Sequence, residues 1–288
     1  MNPLSTHETL YRLIRTYIEA MGASRTTLMA LKSYIEAVKQ LQCADEDFQR
    51  LLVELNSVIR NTEPKVAPLL HLIEAFEAEM TPFPGGDLQA AKALAIEILE
   101  KKQRRFEADT ENLIRHCIEV IRPSDFIITH SPTAYIRQGF IQAHSRMPRQ
   151  FKILVLKQEF LRTRELIRVL EQYQIEHLVI PEYDLSHYLD AVTKLFIGAV
   201  SISSDGKVIT GVGTANVVSL CHAYHIPVYL FAESLKFAHT PLAAQRIHRE
   251  QRDKMESDFT FHMTTFSHDV VDLDMVDHVV TDEGERNA

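Results

Sequence analysis

The sequence predicts an α/β fold: an N-terminal helical domain over residues 1–121, followed by a parallel sheet with flanking helices over 122–288. Two observations predict it. Apolar residues recur at helical spacing through the first part of the chain. Beyond Arg122-Pro123 the period changes to short segments that are apolar throughout, as expected of strands covered on both faces. Strand–helix alternation of this kind implies right-handed crossovers and a doubly wound, Rossmann-like sheet.

Each element has its own signal. Leu10, Leu13, Ile14, Tyr17, Ile18 and Met21 share a helix face, and Gly22 ends the run. Thr26 or Thr27 can cap a second helix that places Leu28, Leu31, Ile35, Val38 and Leu41 on one side. A third helix spans Asp45 to Arg60 and a fourth Val66 to Met80. The stretch Thr81–Gly86 breaks the pattern. Asp87 then caps a long helix that runs to Ile121, whose alternating charges suit a solvated face. The strands are Phe126–Thr129, Ile153–Leu156, Leu178–Ile180, Leu195–Ile197 and Val228–Phe231. Helical stretches at 133–146, 162–174, 185–191 and 214–225 lie between them.

Composition narrows the function. With 45% hydrophobic and 24% charged residues among 288, the chain has ample core material. A net charge of -8 argues against direct nucleic acid as the main partner, since phosphate backbones require clustered Lys and Arg. Cys43, Cys117 and Cys221 form neither a metal pattern nor a disulfide framework. Neither a signal-peptide core nor an apolar run long enough to span a bilayer is visible, so no membrane association and a cytoplasmic location are expected.

In doubly wound sheets ligands bind at the C-terminal strand ends. Here those ends carry Thr129, His130 and Ser131, then Gly198, then Glu233 and Lys236. The helix start Gly213-Thr214 offers free N–H groups and a favourable dipole to an anion; it is equally a plain Thr N-cap after a tight turn. Lys236 suits a phosphate counter-charge or an ordinary exposed lysine. His130 suits an acid–base group or a core histidine. Ser131 lacks a nucleophile elbow. The histidine pairs His222/His225 and His262/His268 lack companions, so neither metal nor cofactor is assigned.

Residues 195–237, LFIGAVSISSDGKVITGVGTANVVSLCHAYHIPVYLFAESLKF, resemble the core signature of the translation initiation factor 2B alpha/beta/delta subunit family. That family also contains methylthioribose-1-phosphate and ribose-1,5-bisphosphate isomerases. FIITHS (126–131) resembles its first core strand, and VDLDMVDHVVTDEG (271–284) its closing element. The helical first domain is also the family pattern. The resemblance implies a homodimer or an assembly with paralogous subunits, a phosphorylated small-molecule ligand, and a link to the translation initiation GTPase. Thr129, His130, Ser131, Gly198, Gly213, Thr214, Glu233 and Lys236 would then be ligand-binding.

The chain departs from the isomerase pattern. Ser131 stands where family isomerases carry a catalytic cysteine, Val200 where they carry an aspartate, and Gly211 where they carry a lysine. Glu159-Phe160 stands near the usual Arg-Pro. Moving a proton between sugar carbons needs a positioned acid and base, and valine supplies neither. The expectation is therefore a non-catalytic, dimeric regulatory or binding module, with no catalytic residue assigned. The alternatives are an aldose–ketose sugar-phosphate isomerase rearranged around His130, Asp205 and Glu233, and a helical scaffold with an inert α/β half.

Overall fold

A computed structural model describes residues 21–61, 66–81, 87–157, 161–244, 247, 249–256 and 259–286. The first expected helix (except Met21), most of the break before Asp87, and Glu159-Phe160 lie outside the described residues. Two compact units divide between Asn112 and Leu113.

The first unit contains α1 (Ala23–Gln40), α2 (Phe48–Arg60), α3 (Ala67–Met80) and most of α4 (Leu88–Glu119). Their apolar stripes bury Leu31, Ile35 and Val38, then Phe48 and Leu52, Ile73 and Phe76, and Leu99 and Phe106. Tyr34 packs edge-on against Phe76 and donates its hydroxyl proton to Asn56 at 2.5 Å. Asp87 caps α4 as expected, accepting from the amides of Gln89 and Ala90. Thr26 and Thr27 do not cap α1. The helix starts earlier, after Gly22 at φ 82, and both hydroxyls donate back to the carbonyls of Gly22 and Ala23.

The second unit is built on a seven-stranded sheet. Its strands are β1 (Phe126–His130), β2 (Lys152–Lys157), β3 (His177–Pro181), β4 (Lys194–Gly198), β7 (Val228–Phe231), β11 (His278–Thr281) and β12 (Gly284–Arg286). The order is β12-β11-β7-β4-β1-β2-β3, parallel except for the antiparallel edge strand β12. β1 has β2 on one side and β4 on the other, so the winding direction reverses there. The ends of β1 and β4 thus form the switch point.

Both sheet faces are covered, which explains strands without polar alternation. On one face Ile127, Ile153, Val155, Phe196 and Phe231 pack against α5 (Ala134–Arg146), α6 (Leu161–Gln172) and the end of α4. Leu113, Ile114, Cys117 and Ile118 of α4 join that core, so the unit boundary falls inside the helix rather than at its end. On the other face Ile128, Leu154, Leu195, Ile197 and Leu230 meet Val217, Val218 and Cys221 of α7 (Thr214–Ala223). Burying a side chain such as Phe196 stabilises by about 1.5–3 kcal/mol.

The expected helix at 185–191 is instead a 3-10 turn, Glu182–His187. Leu185 and Leu189 are buried four residues apart, so their spacing imitates a helix while the backbone turns more tightly. Two further sheets among the described residues were not expected from the sequence. One is three-stranded and antiparallel, from β5 (Ser201–Ile202), β6 (Lys207–Thr210) and β10 (Asp269–Asp272). The other is a hairpin of β8 (Arg249–Glu256) and β9 (Phe259–Phe266). Among the described residues no helix is long and apolar enough to cross a membrane.

Candidate functional site

At the switch point β1 ends in Thr129 and His130, followed by Ser131, all buried. Ser131 turns the chain with a left-handed backbone, φ 50, rare for a residue with a Cβ. Its Oγ accepts the Gly211 amide at 3.2 Å, tying the end of β1 to the loop after β6. β4 ends at Gly198, where an added Cβ would lie 2.1 Å from Thr133 Cγ2. Thr133 is the N-cap of α5. Only glycine permits that approach.

Helix α7 starts at Gly213, with φ 92, and Thr214 is its first residue. The amides of Gly213 and Ala215 both donate to Asp269 Oδ2, at 2.9 and 3.1 Å. The helix start expected to hold an external anion therefore already holds an internal carboxylate. Glu182, directly after β3, lies against it as well. A Cβ on Gly213 would meet Glu182 Oε1 at 2.7 Å.

His130 joins these parts. Its Nδ1 lies 2.8 Å from Thr214 Oγ1 and its Nε2 3.2 Å from Glu182 Oε2. Thr214 donates its single hydroxyl proton to the Gly211 carbonyl at 2.6 Å. His130 Nδ1–H must then be the donor to Thr214. A hydrogen bond to Glu182 needs a second proton, on Nε2 or on the carboxyl. The imidazole is fully enclosed, and the Glu182 side chain is 29% exposed.

Lys236 is also enclosed, at 1% exposure. Its ammonium donates to Tyr135 Oη at 3.0 Å and to the Ala199 carbonyl at 2.8 Å, and lies 3.0 Å from Glu233 Oε2. Two hydrogen bonds and one ion pair thus hold the ammonium from within. Tyr135 passes its own proton to the Phe231 carbonyl at 2.8 Å. Burial alone pushes the Lys236 ammonium toward the neutral form, but Glu233 and Tyr135 more than offset this and hold its pKa above the ordinary value. Burial pushes the Tyr135 phenol up to about 12. The oxygens of Glu233 and the hydroxyl of Thr129 are buried without a well-aligned hydrogen bond.

Six of the eight residues expected at the site fall into two groups, and Thr129 and Gly198 into neither. His130 and Thr214 share one bonded cluster, with Ser131 and Gly213 at its edge; Glu233 and Lys236 form the other, reached from β4 through Ala199. Asp205 belongs to neither: it accepts from Ser203 Oγ at 2.5 Å and the Leu242 amide at 3.0 Å, which lower its pKa. Glu182, Asp269 and Tyr135 escaped sequence reasoning. Glu182 was findable, because it follows Pro181 at a strand end; Asp269, more than fifty residues after the helix start it caps, carried no local signal. Among the described residues no group of three or more His, Cys, Asp or Glu is placed to hold a metal ion.

A model of the Initiation factor 2 subunit family matches residues 7–287. The chain belongs to that family. Within the initiation factor 2 subunit family, a putative translation initiation factor eIF-2B subunit 2-like protein of Pyrococcus abyssi is 26% identical over 80% of this chain and 79% of its own. A ribose 1,5-bisphosphate isomerase of Pyrococcus furiosus is 22% identical over 93% of this chain and 86% of its own. Among solved structures, translation initiation factor eIF-2B of Pyrococcus horikoshii superposes with a TM-score of 0.76 at 23% identity, covering 98% of this chain and 97% of that one. A subunit of the tetrameric eIF2B-beta2-delta2 complex of C. thermophilum gives 0.71 at 15% identity, covering 98% and 90%. Family relatives therefore include both initiation-factor subunits and an isomerase.

Proposed function

We propose that this family member is a non-catalytic assembly module of the initiation factor 2B type, which joins a second copy or a paralogous subunit. One observation carries the reading: the groups that would grip a phosphorylated substrate are satisfied from within. The ammonium of Lys236 donates to Tyr135 and Ala199 and is ion-paired with Glu233, and the Gly213 and Ala215 amides at the start of α7 are spent on Asp269. A phosphate at α7 would have to displace a carboxylate of the chain. Ser131 and Val200, at the positions of the isomerase cysteine and aspartate, point the same way.

The test is an isomerase assay with ribose 1,5-bisphosphate and 5-methylthioribose 1-phosphate, alongside light scattering. The expected results are no turnover above a His130→Gln background and a mass of at least twice the 33.0 kDa chain, alone or with a paralogue. Turnover that His130→Gln abolishes would overturn the reading. The alternative, a rearranged isomerase, is favoured by one feature: His130 and Glu182 form an acid–base pair at the strand ends. Its own mark would be a loss of at least a hundredfold in kcat on Glu182→Gln, as removing a general acid–base group requires.

A further inference from the structure

The hairpin of β8 and β9 pairs only with itself among the described residues, from Arg249↔Phe266 to Glu256↔Phe259. A lone two-stranded ribbon is marginal in water; stability needs more strands or a covering layer. The two strands differ sharply in chemistry. β8 reads REQRDKME, six charged residues out of eight. β9 reads FTFHMTTF, with no Asp, Glu, Lys, Arg, Pro or Gly. Natural edge strands are guarded against pairing by charge, proline or cover. The edge formed by β8 has such a guard and that of β9 has none.

Thr260, His262, Thr264 and Phe266 occupy one face of β9 and all are exposed. Phe259 and Phe266, at its two ends, are 57% and 54% exposed. On the other face the rings of Phe259 and Phe261 stand 5.9 Å apart. Eight neutral residues rich in aromatic and β-branched side chains make a strand that pairs readily.

We propose that β9 is a self-pairing edge: two copies of the chain join antiparallel along Phe259–Phe266 into one four-stranded sheet, ordered β8-β9-β9-β8. Charge selects the occupant. The chain carries a net charge of -8, so two copies repel over most of their surfaces, whereas β9 brings no formal charge to the seam. Antiparallel pairing of a strand with its own copy is what a two-fold axis produces, and such an interface is closed. The charged β8 strands become the outer edges and stop further growth, so the product is a dimer and not a fibre. The proposal rests on the assembly reading only in requiring self-association; it adds the surface.

The test is a concentration series by sedimentation on the full chain and on Thr260→Lys/Thr264→Lys, with Thr260→Val/Thr264→Val as control. Both positions are exposed, so the fold should survive, with circular dichroism as the check. The lysine pair should weaken dimerisation at least tenfold, and the valine pair should preserve or tighten it. In the wild type, hydrogen exchange at the β9 amides should slow as the dimer forms. A wild-type dimer that the lysine pair leaves intact, with β9 amides exchanging freely, would overturn the β9 surface while leaving the assembly reading in place. A wild-type monomer at high micromolar concentration would overturn the β9 proposal; the assembly reading would then rest on a paralogous partner. Protection of β9 only when a different protein is added would assign the edge to that partner instead.

Discussion

Lys236 sits where a strand-end pocket would present a cation to a ligand, yet every donor on its ammonium points inward. Its pairing with Glu233 is close to completely buried on both sides. Removing one member of such a pair strands a charge in a low-dielectric interior, whereas removing both with apolar groups of similar size is often neutral. Lys236→Met should therefore cost about 3–5 kcal/mol in urea unfolding. Lys236→Met/Glu233→Leu should recover most of it. Equal losses in the two variants would mean that the pair is not the unit. Gly198 is a sterically tighter point: Gly198→Ala must push Thr133 aside and should cost about 1–3 kcal/mol of overpacking.

At the scale of elements, α7 shows how an anion site becomes self-sufficient. Asp269 enters from β10 and does for the helix start what a bound phosphate would do. Asp269→Ala should cost about 1 kcal/mol, as loss of an N-cap does. It should also open the amides, so that millimolar inorganic phosphate raises the melting temperature of the variant more than that of the wild type. Equal shifts would show that the amides do not govern anion binding. The same helix shows what could be read from the sequence. Gly213-Thr214 at a helix start, and the apolar strands around it, follow from local spacing, and they lie where expected. The Asp269 cap depends on β10 pairing with β6, a contact across about sixty residues that no local pattern encodes. The 3-10 turn after β3 misled for the opposite reason: Leu185 and Leu189 carry a helical spacing that tertiary packing uses differently. β8 was opaque because its charges alternate without an apolar face, so no period marks it as a strand.

At the scale of the whole molecule, three buried groups, Tyr135, Cys221 and Lys236, are held in their protonated forms. Tyr135 is held up to about 12 and Cys221 is pushed up to about 12, both by burial, against ordinary values of 10.0 and 9.0. In Lys236 burial acts downward, but Glu233 and Tyr135 outweigh it, and the net direction is again upward. A group whose pKa rises on folding contributes its stability in full below its unfolded value and loses it as pH climbs through the folded one. These contributions are therefore intact at neutral pH; those of Cys221 and Tyr135 vanish between about 9 and 12, and that of Lys236 is lost above its ordinary range. For Tyr135 alone the step from 10.0 to about 12 corresponds to about 3 kcal/mol when complete. Urea midpoints measured at pH 8, 9.5 and 11 should fall progressively, with no matching loss toward pH 6 from these three groups. Tyr135→Phe should start lower at pH 8, since the Phe231 carbonyl and Lys236 lose a partner, and should decline less steeply above pH 10. A variant curve parallel to the wild type would show that the phenol is not what ties this core to alkaline pH.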